Sequence, residues 1–278
     1  SGAAFARSLI DGDPGIDDLA GLARYWALWN SPEASMRAIQ LQREAMELAL
    51  QQDSDRHLAM LSRLAALQLE LGFEEESIAT YRKIVEETPD DTMALNNYAF
   101  LLATVLGRPQ EAMPFAEKAI VGAPDNPAVI DTMATLQAMV GDHQASLTGR
   151  LKQLEFQPKD PELLGTIALL YADHMEDPSS GMAFAERAVG RRPRDASLMD
   201  IKGWVYFKTG DTARAEDLIL ESIRRQPTFR AHLHLAELYL EQGRDQKARQ
   251  QLLLAEEIAD EESQRESIEK LKGRLGSG

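Results

Sequence analysis

Prolines stand at Pro89, Pro124, Pro158, Pro193 and Pro227, so that successive members are 35, 34, 35 and 34 residues apart. A unit of about 34 residues is too short to bury its own apolar face and must stack on its neighbours. This period therefore decides the fold class before any local pattern is read. Three further columns keep the same step. Small residues recur at Ala65, Ala99, Ala134, Ala168, Gly203 and Ala236, and again at Ser77, Ala112, Ser146, Gly181, Ala215 and Ala248. Glycines stand at Gly72, Gly107, Gly141, Gly210 and Gly243, with Met175 in the equivalent place of the fourth unit.

Each column has a physical task. Helices approach closely only where side chains are small, so the two small columns predict the crossing inside each helix pair. Glycine supplies the left-handed conformation that ends the first helix. Proline, fixed in φ and lacking an amide hydrogen, stops the second helix or opens the next. Asn126 before Pro127 and Asp160 before Pro161 place a cap acceptor beside a proline suited to the first helical position. Apolar residues between these markers recur three and four apart, as in Leu58, Leu61, Leu64, Ala65 and Leu71, the amphipathic helix pattern.

On these residues the sequence resembles the tetratricopeptide-repeat family. The fifth unit carries Gly203, Tyr206, Gly210, Asp211, Ala215 and Pro227 in the family's places, with Met199, Lys202 and Ile219 as departures. The first offers Leu61, Leu64, Ala65, Gly72, Tyr81 and Pro89. The resemblance implies an all-α fold, a right-handed superhelical solenoid of antiparallel helix pairs. Six repeats are expected at 58–91, 92–126, 127–160, 161–195, 196–228 and 229–260. An arm or loop at 1–18 and a degenerate pair at 19–57 precede them, and a charged capping helix with a short tail follows at 261–278. A second, weaker resemblance is to bacterial repeat proteins of envelope assembly and exopolysaccharide or exosortase systems, carried by Leu95 to Ala99, Pro124 to Pro127, Asp131 and Thr132.

Composition narrows the function classes. A formal net charge of -15 repels a phosphate backbone and an anionic membrane, which makes nucleic acid a poor partner. The absence of cysteine removes disulfides and thiolate chemistry. Apolar stretches such as 98–106 fall short of the roughly 20 residues of a membrane-spanning helix. A soluble protein of a bacterial cytoplasm or periplasm is expected, and the start at Ser1-Gly2 reads as a piece of a longer chain. No phosphate cradle, nucleophile elbow or paired catalytic carboxylates are found, and no two of the five histidines share a helix face at metal-binding spacing. Neither a metal nor a cofactor is expected. The acidic stretches 11–18 and 173–177 read as loops with helix caps. Arg191, Arg192, Arg194, Arg224 and Arg225 read as dipole-complementing residues at the ends of second helices.

The expected function is thus non-catalytic: a scaffold that binds a protein or peptide. In the family resembled, first helices line the concave groove. Carried over by position, groove residues are Asn96, Asn97, Phe100, Asp131, Thr132, Thr135, Asp200, Trp204, Phe207 and Lys208. The lysines of family members that clamp a C-terminal carboxylate are missing from the first three repeats. Trp204, Phe100 and Phe207 are the expected aromatic anchors, against the alternative that they pack between adjacent first helices. Two other readings remain open at this stage: the repeat region of a larger glycosyltransferase-type or kinase-type enzyme, and a self-assembling homo-oligomer.

Overall fold

The computed structural model describes residues 14–29, 31–52, 54–260 and 262–275. Their regular structure is helical, with no strand among them. Fifteen α-helices run in chain order: α1 Ile16–Ala27, α2 Pro32–Gln52, α3 Ser54–Glu70, α4 Glu74–Glu87, α5 Thr92–Thr104, α6 Pro109–Gly122, α7 Pro127–Met139, α8 His143–Phe156, α9 Pro161–His174, α10 Gly181–Arg191, α11 Ala196–Lys208, α12 Thr212–Arg225, α13 Phe229–Glu241, α14 Asp245–Ile258 and α15 Glu262–Leu275. Two compact units divide after Gly141. In the first, α1 pairs with α2, α3 with α4 and α5 with α6. In the second, α9 pairs with α10, α11 with α12 and α13 with α14, and α15 packs on α13 and α14.

Local chemistry explains the pairing. Every column glycine has positive φ, from +64° at Gly107 to +92° at Gly210. At Gly210 the amide donates to the Phe207 carbonyl, and the Asp211 amide donates back to Tyr206 at 2.9 Å. This bond pair terminates a helix only when the residue after it enters the left-handed region. The fourth unit does without glycine. There Met175 is extended (φ -103°, ψ 154°), and the side chain of Asp177 accepts from the Ser179 amide to cap a short 3-10 turn, Pro178–Ser180.

Each column proline lies two residues beyond the last residue of a second helix, after Glu87, Gly122, Phe156, Arg191 and Arg225. Proline therefore acts as the stop. The openings are made by Asn126 and Asp160, whose side chains accept from amides of the first turn as expected.

The two small columns face one another inside the pairs. Ser77 Oγ donates to the Ala65 carbonyl at 2.7 Å. A Cβ on Gly181 would lie 2.8 Å from the Ala168 carbonyl oxygen, and one on Gly203 would meet Ile219 at 2.8 Å and the Ala215 carbonyl oxygen at 3.2 Å. These approaches leave no room for larger side chains.

The ends differ from expectation in detail. α1 begins at Ile16, inside the segment read as an arm, and the Asp18 carboxylate accepts from the Gly15 amide at 3.0 Å. Of the acidic stretch 11–18, residues 11–13 lie outside those described. α2 is long at 21 residues, because no glycine interrupts it, and α3 starts at Ser54 rather than 58. At the far end α15 buries Ile268, Leu271 and Leu275, so one face is packed while the other stays wet.

Candidate binding surfaces on the first helices

In the first unit, α5 presents the expected Asn97 and Phe100 while turning Asn96 inward. Phe100 is 38% exposed and Met93, two turns earlier, 45%. Asn97 is fixed between them: its amide donates to the Tyr81 hydroxyl at 3.0 Å, and its oxygen accepts from Asn96 at 3.3 Å. Burial pushes the Tyr81 phenol up, with the Asn97 bond opposing, so this hydroxyl stays neutral. Asn96 is buried, and its Oδ1 has no hydrogen-bond partner among the described residues. On α7, Thr132 is also buried and donates to the Ala128 carbonyl at 3.1 Å. Asp131 and Thr135 are partly buried. Asn96 and Thr132 therefore correct the sequence reading, because their stretch of helix turns them to the interior.

The second unit brings Asp200, Trp204, Phe207 and Lys208 together, though not as a surface. Trp204 is only 3% exposed. Its indole stacks on His234 with ring centroids 4.0 Å apart and planes at 8°, and lies 5.1 Å from Phe207. The indole N–H donates to Asp173 at 2.7 Å. The Lys208 ammonium sits 5.3 Å from the ring centroid and 3.8 Å from Asp173. An anchor for a partner must be accessible, and this tryptophan is spent on packing between α9, α11 and α13. That overturns its expected role.

Asp200 is fully buried and paired twice, with Arg230 at 2.9 Å and with His234 at 2.9 Å. Burial works against its carboxylate, but the His234 and Arg230 partners win and hold its pKa below the usual carboxylate value. Such a group supports structure. His234 and His232 are both buried, His232 beside Gln251 at 2.7 Å. Asp200 and His234 stand one repeat apart in the same column, the one signal that would have revealed the pair. A second histidine contact joins His174 to His143, stacked at 3.5 Å. Burial lowers the His174 pKa first, then the neighbouring His143; Asp173 pulls the other way, and Lys208 adds to the lowering. Among the described residues no group of three or more acidic, histidine or cysteine side chains is placed to hold a metal.

The second unit also holds a cleft of about 500 Å³ between α9, α11 and the turns that precede α11 and α13. Leu169, Leu198 and Ile201 line it together with Thr166, Arg194, Arg225 and Arg230. Sequence reasoning assigned Arg194 and Arg225 to helix ends and missed the cleft, which is assembled from three separate segments. No helix of the described residues is long and apolar enough to cross a membrane.

The sequence profile of the tetratricopeptide repeat matches residues 202–263. No curated protein matches the chain. Among solved structures, a tetratricopeptide repeat protein from Parabacteroides merdae is 18% identical with a TM-score of 0.71, covering 94% of this chain and 99% of that one. PilW, a type IV pilus biogenesis factor, is 15% identical with a TM-score of 0.63, over 78% of this chain and 96% of its own. A thermophilic TPR protein of Thermus thermophilus is 24% identical with a TM-score of 0.53, over 66% and 97%. Residues 202–263 match the tetratricopeptide repeat in sequence, and nearly the whole length shares the fold of a tetratricopeptide repeat protein.

Proposed function

We propose that the chain is a non-catalytic scaffold that binds a polypeptide segment along its first helices. The observation that carries this reading is the α5 face, where Met93 and Phe100 stay exposed beside the oriented Asn97 amide. Apolar side chains next to a fixed amide suit an extended peptide, which needs both side-chain contact and backbone hydrogen bonding. The ionisable groups on α9, α11 and α13 pair with one another, which supports a role in holding the array and not in catalysis. The net charge of -15 favours protein over nucleic acid. A bacterial cytoplasm or periplasm is the compartment we propose, supported only by the bacterial sources of the structural neighbours.

The test is photo-crosslinking in the source cell. A photoreactive side chain at Thr104, on the same helix face, is expected to trap a polypeptide that is lost in a Phe100→Asp, Asn97→Ala variant. A crosslinker at Glu117, on the second helix α6, is the control. Equal trapping by the variant overturns the reading.

A further inference from the structure

We infer that the cleft of the second unit binds an acidic peptide segment, seating one apolar side chain on its floor and carboxylates on its arginines. The inference rests on the scaffold reading and names the partner chemistry for one site. The apolar side chain that the cleft offers is Leu169, which is half-buried; Leu198 and Ile201 also line it but are buried. The rim carries Arg194, Arg225 and Arg230, an unusual concentration of cations in a chain of net charge -15.

The acidic groups beside the cleft are already engaged. Glu162 is bound by Arg192 at 3.0 Å, and Asp195 accepts from the Leu198 amide at 3.2 Å while Arg192 stands 3.8 Å away. Arg230 is committed to Asp200, and Arg225 to Glu221 at 2.8 Å. Arg194 is exposed and has no carboxylate partner among the described residues. Arg225 is also exposed, and its pairing with Glu221 lies within its own helix, where an exposed i,i+4 pair is weak. A ligand carboxylate can therefore engage Arg194 and share Arg225. The cap acceptor Asp195 takes only one amide of the first turn of α11, so the helix end adds a favourable field for the same anion. An anion without an apolar neighbour would leave the floor unused, which favours peptide over a free inorganic ion.

The probe is a fluorescein-labelled peptide, Gly-Glu-Glu-Leu-Glu-Glu-Gly with an amidated C-terminus, titrated by anisotropy against the full chain. Arg194→Glu with Arg225→Glu is expected to weaken binding roughly tenfold or more. Arg194→Gln alone should weaken it less, and Lys118→Glu on α6, the same charge change per site, should leave it intact. Peptides with Gln for Glu, or Ser for Leu, should also bind more weakly. Melting curves establish that the variants fold. The proposal is overturned by no binding to the unchanged chain, by equal binding to R194E/R225E, or by displacement with inorganic phosphate together with indifference to the central Leu. Failure of the probe to bind the unchanged chain, with a natural segment still trapped at α5, overturns the cleft assignment while leaving the scaffold reading intact.

Discussion

At the scale of single residues, the small columns and the histidine stack set the sharpest constraints. Gly181 lies where a Cβ would press on the Ala168 carbonyl at 2.8 Å, whereas Gly190 on the same helix has nothing within 4 Å. Gly181→Ala should therefore destabilise by about 1 to 3 kcal/mol through overpacking. Gly190→Ala should be neutral or stabilise by up to about 1 kcal/mol, and urea melts of the two variants measure the difference. Equal melts would mean that α9 and α10 are not in close contact. His174 predicts a pH effect. Its folded pKa lies below the ordinary 6.5, so the unfolded chain binds the proton more readily. The contribution is complete above that ordinary value and lost as pH falls through the folded one. Melting temperature should drop between about pH 7.5 and pH 5.5, and His174→Gln should flatten that drop; an unchanged slope removes His174 as a cause. The Gly and Pro columns were legible because one residue's own φ decides them. Trp204 and Asp200 were not, because whether a first-helix residue faces solvent or its neighbour depends on how two helices are rotated against each other.

At the scale of helices, termini carry the information that the sequence shows best. Asp160 accepts from both the Glu162 amide at 2.9 Å and the Leu163 amide at 3.2 Å, which explains why α9 starts beside Pro161. Asp160→Ala should cost about 1 kcal/mol. The loss should appear as faster hydrogen exchange in the first turn of α9, since caps govern local opening before global unfolding. Uniform acceleration throughout α9, α10 and α11 would instead assign Asp160 to the cooperative core. The fourth unit shows how a helix end can be made without the column residue. Met175 cannot take the glycine conformation cheaply, and the chain spends an extra polar turn, capped by Asp177, to reach the same second helix. The missing glycine announced that the turn would differ. Its form depended on Ser179 and Ser180 finding the Asp177 carboxylate, a contact no spacing rule contains. The cleft was hidden for a related reason: its arginines come from the turn before α11, the end of α12 and the start of α13, and only the stacking of repeats brings them together.

At the scale of the whole molecule, charge decides between two opposing salt effects. A net charge of -15 sets up self-repulsion that salt screens, which stabilises. Salt also screens the attractive pairs, which destabilises. Most of those pairs are exposed, such as Arg56 with Asp17 at 2.8 Å and Lys83 with Glu87 at 3.7 Å, and pairs of this kind contribute only about 0 to 1 kcal/mol each. The buried Asp200 cluster is shielded from ions by its burial and should respond little. Repulsion should therefore dominate, and the melting temperature should rise by a few degrees between about 10 mM and 0.3 M sodium chloride, where the screening length shrinks from about 30 Å to under about 8 Å. Binding of the acidic probe should move the opposite way over the same range, since attraction at Arg194 and Arg225 is screened as well. Stability that falls with salt would show that the surface pairs act as a network worth more than their separate contributions. Probe affinity that rises with salt would show that repulsion by the net charge of -15 outweighs attraction at Arg194 and Arg225.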